Sequence, residues 1–90
     1  MARLTAQDVF GARTPEEYRA KQRSFMASHR RGVVQRTTDA KPTVVLESDG
    51  GLRFKCSCGD YPLVDPRWNL ACCFNCGLVY TDLDLPKDAA

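Results

Sequence analysis

Apolar residues along the chain follow two regimes. Up to about residue 42 they are sparse and fall at helical spacing, and from Thr43 onward short runs alternate with a period of two. Thr5 is an acceptable N-cap and Gly11 a stop, which predicts a short helix between them. The next start signal is stronger. Thr14-Pro15-Glu16-Glu17 puts Thr at N-cap, Pro at N1 and Glu at N3, a capping box. Helix propensity then holds through Arg31 to a stop at Gly32. Tyr18, Phe25, Met26 and His29 form one narrow apolar stripe, with Arg19, Lys21, Arg23, Arg30 and Arg31 mostly off it. About 17 helical residues with so few apolar anchors are marginal alone. The stripe is read either as packing against the rest of the chain or as docking onto a partner.

After Val33-Val34, the polar run from Gln35 to Pro42 reads as an extended linker. Thr43 to Ser48 and Leu52 to Lys55 read as two strands joined by a two-residue Asp49-Gly50 turn. Trp68 to Ala71 and Leu78 to Thr81 read as two more. The in-phase residues Val44, Leu46, Leu52, Phe54, Trp68, Leu70, Leu78 and Tyr80 are the expected thin core. The segment from Asp82 to Ala90 is acidic, contains Pro86 and is expected to be loose.

Charge sharpens this division. Residues 1–42 hold nine Lys or Arg against four Asp or Glu, a net +5, and residues 43–90 hold four against seven, a net −3. The organisation expected is a basic helical arm and linker over 1–42, a folded unit over 43–81 and an acidic tail over 82–90. No apolar run approaches the ~18 residues of a membrane span, and the first eight residues lack the apolar segment of a secretory signal. A reducing intracellular compartment, or incorporation in a virus particle, is expected.

The five cysteines change the picture most. Cys56, Cys58, Cys72, Cys73 and Cys76 all fall in the second half. An odd count without an export signal argues against a disulfide framework and for metal binding. Cys73-Phe74-Asn75-Cys76-Gly77 is a C-x-x-C-G loop, which delivers two sulfurs from one tight turn. Its glycine permits the backbone conformation that turns amides toward them. Cys56-Ser57-Cys58-Gly59 carries the same glycine, but its cysteines stand one residue closer than usual. Cys56, Cys58, Cys73 and Cys76 are therefore the expected ligands of one structural zinc, with iron sharing the tetrathiolate geometry. A redox dithiol lacks the βαβ setting it needs. Cys72 is the spare, read as a small buried hydrophobe facing away from Cys73, or else as the ligand in its place. His29 is a distant candidate ligand, more simply a packed or solvated histidine.

The hairpin leading into Cys56-Ser57-Cys58-Gly59 and the second hairpin built on Cys73-Phe74-Asn75-Cys76-Gly77 resemble the zinc-ribbon superfamily over about residues 43–81. The C-x-C spacing and the extra Cys72 depart from the common pattern. The resemblance implies a small α+β fold, with the basic helical arm followed by a β-hairpin zinc ribbon held by one four-cysteine metal site. It implies a rigid binding platform of the kind found in transcription factors, polymerase subunits, ribosomal proteins and small viral proteins. The layout of arm and ribbon also resembles small phage-encoded accessory proteins.

Catalysis has little support in the residues. Four cysteines close a zinc shell, there is one histidine, and no phosphate-binding glycine loop appears. The expected function is a non-catalytic structural and interaction module of a larger multi-subunit assembly such as a virion, contacting protein subunits and neither membrane nor small-molecule substrate. Tyr18, Phe25 and Met26 would be its apolar anchors, and Arg19, Lys21, Arg23, Arg30 and Arg31 its electrostatic contacts. The alternative is binding to nucleic acid or the transcription machinery. Six basic and no acidic residues between Tyr18 and Arg36, with interleaved aromatics, suit a phosphate backbone. A pI near 8.3 is low for a dedicated nucleic-acid domain.

Overall fold

The computed structural model describes residues 3–86, so the expectations for 87–90 lie outside the described residues. Two helices precede a six-stranded sheet. Helix α1 spans Ala6–Phe10, and α2 spans Pro15–His29. The strands are β1 (Arg36–Thr38), β2 (Val45–Leu46), β3 (Leu52–Arg53), β4 (Leu63–Asp65), β5 (Leu70–Cys72) and β6 (Leu78–Thr81). The sheet order is β1-β6-β5-β4-β3-β2; every pairing is antiparallel except that of β1 with β6.

The expected caps form. The Thr5 hydroxyl accepts from the Asp8 N–H while the Asp8 carboxylate accepts from the Thr5 N–H, closing a reciprocal box on α1. On α2 the Thr14 hydroxyl accepts from the Glu17 N–H at 3.1 Å, but the Glu17 carboxylate takes the N–H of Arg13 rather than that of Thr14. Only half of the expected capping box is made. The helix also ends two residues earlier than expected, at His29.

Side-chain alternation divides the sheet into two faces. Leu52, Val64, Ala71 and Tyr80 lie side by side across four strands. Together with Val44 and Phe54 they bury one face, closed over by Leu83 and Leu85. The start of the acidic tail is thus packed rather than loose, because the Asn69 side chain bonds both the N–H and the carbonyl of Leu83. Leu70, Cys72 and Val79 point to the other face, where Ala6, Ala12 and Tyr18 cover them. The second core explains why Leu70 and Trp68 do not join the first.

The division into arm and separate folded unit does not appear in the structure. Tyr18 is fully buried and donates its hydroxyl to the carbonyl of Leu63. The Ala6 N–H is held by the buried Asp65 carboxylate at 3.0 Å. The supposed linker contains β1, which pairs in parallel with β6. The helices would otherwise leave one sheet face open to water, and covering it supplies the burial that the 43–81 segment lacks alone.

Two turns differ from expectation. The β2–β3 hairpin has a three-residue loop rather than two, because Glu47 pairs with Gly51 and the chain reverses through Ser48, Asp49 and Gly50. Gly50 sits at φ 88°, the left-handed position such a loop requires. Strand β4, not among the strands expected from the sequence, pairs with β5 through a turn over Pro66 to Asn69.

Candidate metal centre

The first pair of thiols follows the end of β3. The Cys56 carbonyl accepts from the Gly59 N–H at 2.9 Å, and the Cys56 N–H donates to the Asp60 carbonyl, so the chain turns sharply and swings Cys58 back beside Cys56. The second pair sits on the hairpin between β5 and β6. There the Cys73 N–H donates to the Leu78 carbonyl and the Gly77 N–H to the Cys73 carbonyl.

The two turns bring Cys56, Cys58, Cys73 and Cys76 together, all four sulfurs lying within 4.8 Å of one another. Cys56 Sγ is 3.5 Å from Cys76 Sγ, and Cys58 Sγ is 3.6 Å from Cys73 Sγ. A tetrahedron with metal–sulfur bonds of ~2.3 Å has edges of about 3.8 Å, so the four thiols can hold one metal ion with small adjustments and are compatible with zinc. The short C-x-C spacing does not prevent this, because Cys56 stands just before the turn and Cys58 within it.

Backbone dipoles favour thiolates here. Burial opposes charge at Cys58, but hydrogen bonds from the Asn75 side chain and the Asp60 N–H, with its sulfur neighbours, bring its thiol down to about 7. Burial pushes Cys73 and Cys76 up, against the N–H groups of Cys76 and Asn75 on Cys73 and that of Leu78 on Cys76. A cation among the four thiols reverses the upward shifts by favouring the charged form.

Cys72 stands apart. It is buried on the helix-covered face, and burial pushes its thiol up to about 12. That is the small hydrophobe expected from its alternation with Cys73. His29 is exposed at the end of α2, with its ring stacked on Phe25 and Nδ1 against the Phe25 carbonyl. It is not among the four clustered groups.

Three residues around the centre carry no obvious signal in the sequence. The Tyr80 hydroxyl lies 3.2 Å from Cys56 Sγ, and its phenol is pushed up to about 12 by burial and that contact. Gln22 is fully buried, and its amide donates to the carbonyl of Cys73 at 2.7 Å and of Leu78 at 3.2 Å. Arg36 gives its N–H to the Gly77 carbonyl and its guanidinium to that of Cys76. The spacing of four in Tyr18, Gln22 and Met26 is the signal that could have placed Gln22 inward.

That same spacing corrects the expected partner contacts. Tyr18, Gln22 and Met26 form the inward stripe of α2, so Tyr18 and Met26 are used inside the chain. Phe25, at 38% exposure, and the basic side chains Lys21, Arg23, Arg30 and Arg31 remain outside, with Arg19 half-buried. Beside Phe25 is a recess of about 290 Å³ lined by Val9, Phe10, Tyr61 and Phe74 among others.

Gly77 meets two constraints at once. Its φ is 83°, and a Cβ would press into the backbone carbonyl of Val34. Gly59, at φ 94°, has open space where a Cβ would go. Both Gly59→Ala and Gly77→Ala are expected to cost the ~1–2 kcal/mol of left-handed backbone strain, and Gly77→Ala to cost more because only there does the added Cβ meet the Val34 carbonyl. Paired thermal melts check this; equal losses would show that the Val34 approach does not matter.

No protein-family model, curated protein or solved structure matches the chain. What stands of the zinc-ribbon resemblance is a small α+β fold with four cysteines placed to hold a metal ion. Among the described residues no helix is long and apolar enough to cross a membrane.

Proposed function

We propose that the chain is a non-catalytic binding module of a larger protein assembly, with a structural zinc at Cys56, Cys58, Cys73 and Cys76 fixing the shape of its partner surface. The observation that carries this reading is the convergence of four cysteine sulfurs within 4.8 Å. Four thiolates fill all the positions of tetrahedral zinc, whereas a catalytic zinc keeps one for water or substrate. When bound, the ion supplies folding free energy rather than bond-making chemistry.

The partner surface of this reading is the outer side of α2. Lys21, Arg23, Arg30 and Arg31 are exposed there, and Val9 and Tyr61, 46% and 57% exposed, flank the recess beside Phe25. Cations next to exposed apolar groups suit a protein partner with acidic and apolar side chains. One observation favours nucleic acid as a second reading. The exposed Phe25–His29 pair is stacked at 4.4 Å, with basic residues before and after it, and offers a flat surface for a base.

Native mass spectrometry and the optical spectrum test the metal; one zinc per colourless chain is expected, and a visible iron–thiolate absorption would replace zinc with iron. A salt titration of the loaded chain against single- and double-stranded nucleic acid tests the partner. No binding at low salt is expected. Tight binding that weakens over decades as salt rises would move the function to the second reading.

A further inference from the structure

The sides of the second cysteine turn are gripped by residues from the first half of the chain. Its carbonyls at Cys73 and Leu78 receive the Gln22 amide, and those at Cys76 and Gly77 receive Arg36. The grip continues outward. Gln35 donates to the Gln22 side-chain oxygen at 2.8 Å and to the Arg19 carbonyl at 3.0 Å, and Arg23 donates to Gln35 at 3.0 Å. A line of hydrogen bonds thus runs from the backbone of a cysteine ligand, through a fully buried glutamine and Gln35, to the backbone carbonyl of half-buried Arg19 and the exposed guanidinium of Arg23.

Resting on the zinc reading above, we infer that Gln22 is a positioning residue that couples metal occupancy to the placement of α2, so that Arg23 is presented to a partner only by the loaded protein. The Gln22 amide bridges the two carbonyls that flank the mouth of the turn. The Cys73 N–H to Leu78 carbonyl and Gly77 N–H to Cys73 carbonyl bonds close that turn, and an ion drawing Cys73 and Cys76 together would hold it in this geometry. Loosening of the turn on metal loss would pull the acceptors away from a fully buried amide, a costly change that favours release of the helix. Coupling of this kind is reciprocal: if the ion places the helix, the helix holds the ion.

The test uses the full chain, with zinc affinity read by competition against a chromophoric chelator. Wild-type zinc uptake is measured first, and its failure would sink the zinc reading rather than the coupling. Gln22→Met keeps length and removes the donor. It is expected to weaken zinc binding about 10–100-fold, the range for losing an outer partner of a ligand. With zinc still bound, hydrogen exchange over Pro15–His29 should rise toward that of the metal-free wild type. Tyr18→Phe deletes a different bond on the same helix face, to Leu63 rather than to the cysteine turn. It should change zinc affinity less than about threefold if outer partners act only through their own ligand.

Wild-type affinity in Gln22→Met, or an equal loss in Tyr18→Phe, would overturn the coupling. Should Gln22→Met not fold, Gln35→Ala removes the group that orients the Gln22 amide from a half-buried position. It is expected to weaken zinc binding several-fold, and an unchanged affinity would equally overturn the inference.

Discussion

Excess chelator is expected to abolish the near-ultraviolet circular dichroism of the whole chain, not only of its cysteine-bearing half. A structural zinc contributes an apparent ~10–16 kcal/mol to folding in small zinc domains. A domain of this size has a total net stability of ~5–15 kcal/mol. If the four thiols hold zinc as proposed, the ion would contribute on the scale of the whole net stability. The loss spreads because Tyr18 and Tyr80 report from opposite faces of one sheet, and β5, which ends at Cys72 just before Cys73 of the cluster, sends side chains to both. Cys73→Ala should reproduce the chelated state. Cys72→Ala should keep one zinc per chain and lose only the ~1–2 kcal/mol of a small core deletion. Unchanged dichroism under chelation, or zinc lost from Cys72→Ala and retained by Cys73→Ala, would reject this assignment.

The second large effect is expected at Asp65, at the end of β4 away from the cysteines. Its carboxylate is fully buried and accepts four hydrogen bonds, from the Ala6 N–H, the Arg67 N–H and two guanidinium nitrogens of Arg67. Burial alone would raise its pKa, but the Arg67 guanidinium and the two N–H groups hold the carboxyl below the usual carboxylate range. With a lowered folded value, the stabilisation is present in full above the unfolded value of about 3.9 and fades as pH falls through the folded one. At neutral pH it is fully expressed.

Asp65→Ala removes every one of these acceptors and leaves a helix N-terminus without its anchor. The expected loss is about 3 kcal/mol, set at the low end because Arg67 is partly exposed and regains water. That corresponds to a melting point lower by roughly 12–24 °C, with hydrogen exchange rising first over Ala6–Phe10. A shift under ~4 °C would show that the pair contributes little beyond its own desolvation.

The elements legible in the sequence were those with local causes. Thr5, Thr14, Pro15 and Gly11 mark helix ends through hydrogen bonds within a few residues, and all function as such. The pairs Leu52–Phe54 and Leu78–Tyr80 alternate cleanly, and both face one core. The cysteine set was legible because ligand chemistry restricts both residue type and spacing. What the sequence hid depends on distant partners. Strand β1 is Arg-Thr-Thr, an exposed edge with no apolar alternation, and it exists because β6 offers it a ladder. Strand β4 ends at Asp65, a charged residue that suits a strand end buried in the sheet only because the Ala6 N–H and Arg67 supply its partners. Gln22 has the polarity of a surface residue; its spacing of four from Tyr18 and Met26 points inward, and the carbonyls of Cys73 and Leu78 are what make a buried glutamine favourable.

The parallel contact of β1 with β6 has a consequence for the order of synthesis. A ribosome makes Arg36–Thr38 about forty residues before Leu78–Thr81, their partner in the ladder. The last cysteine of the cluster, Cys76, is likewise made only two residues before that strand. The two capped helices are therefore made before the sheet they lie on is complete. The closing contacts of sheet, cluster and helix face all become available within the same few codons, from Cys76 to Leu83. A message truncated before Leu78 would yield a product without β1's partner, without Tyr80 and without the cover of Leu83, and such a fragment would be cleared by proteases instead of persisting as a partly working protein.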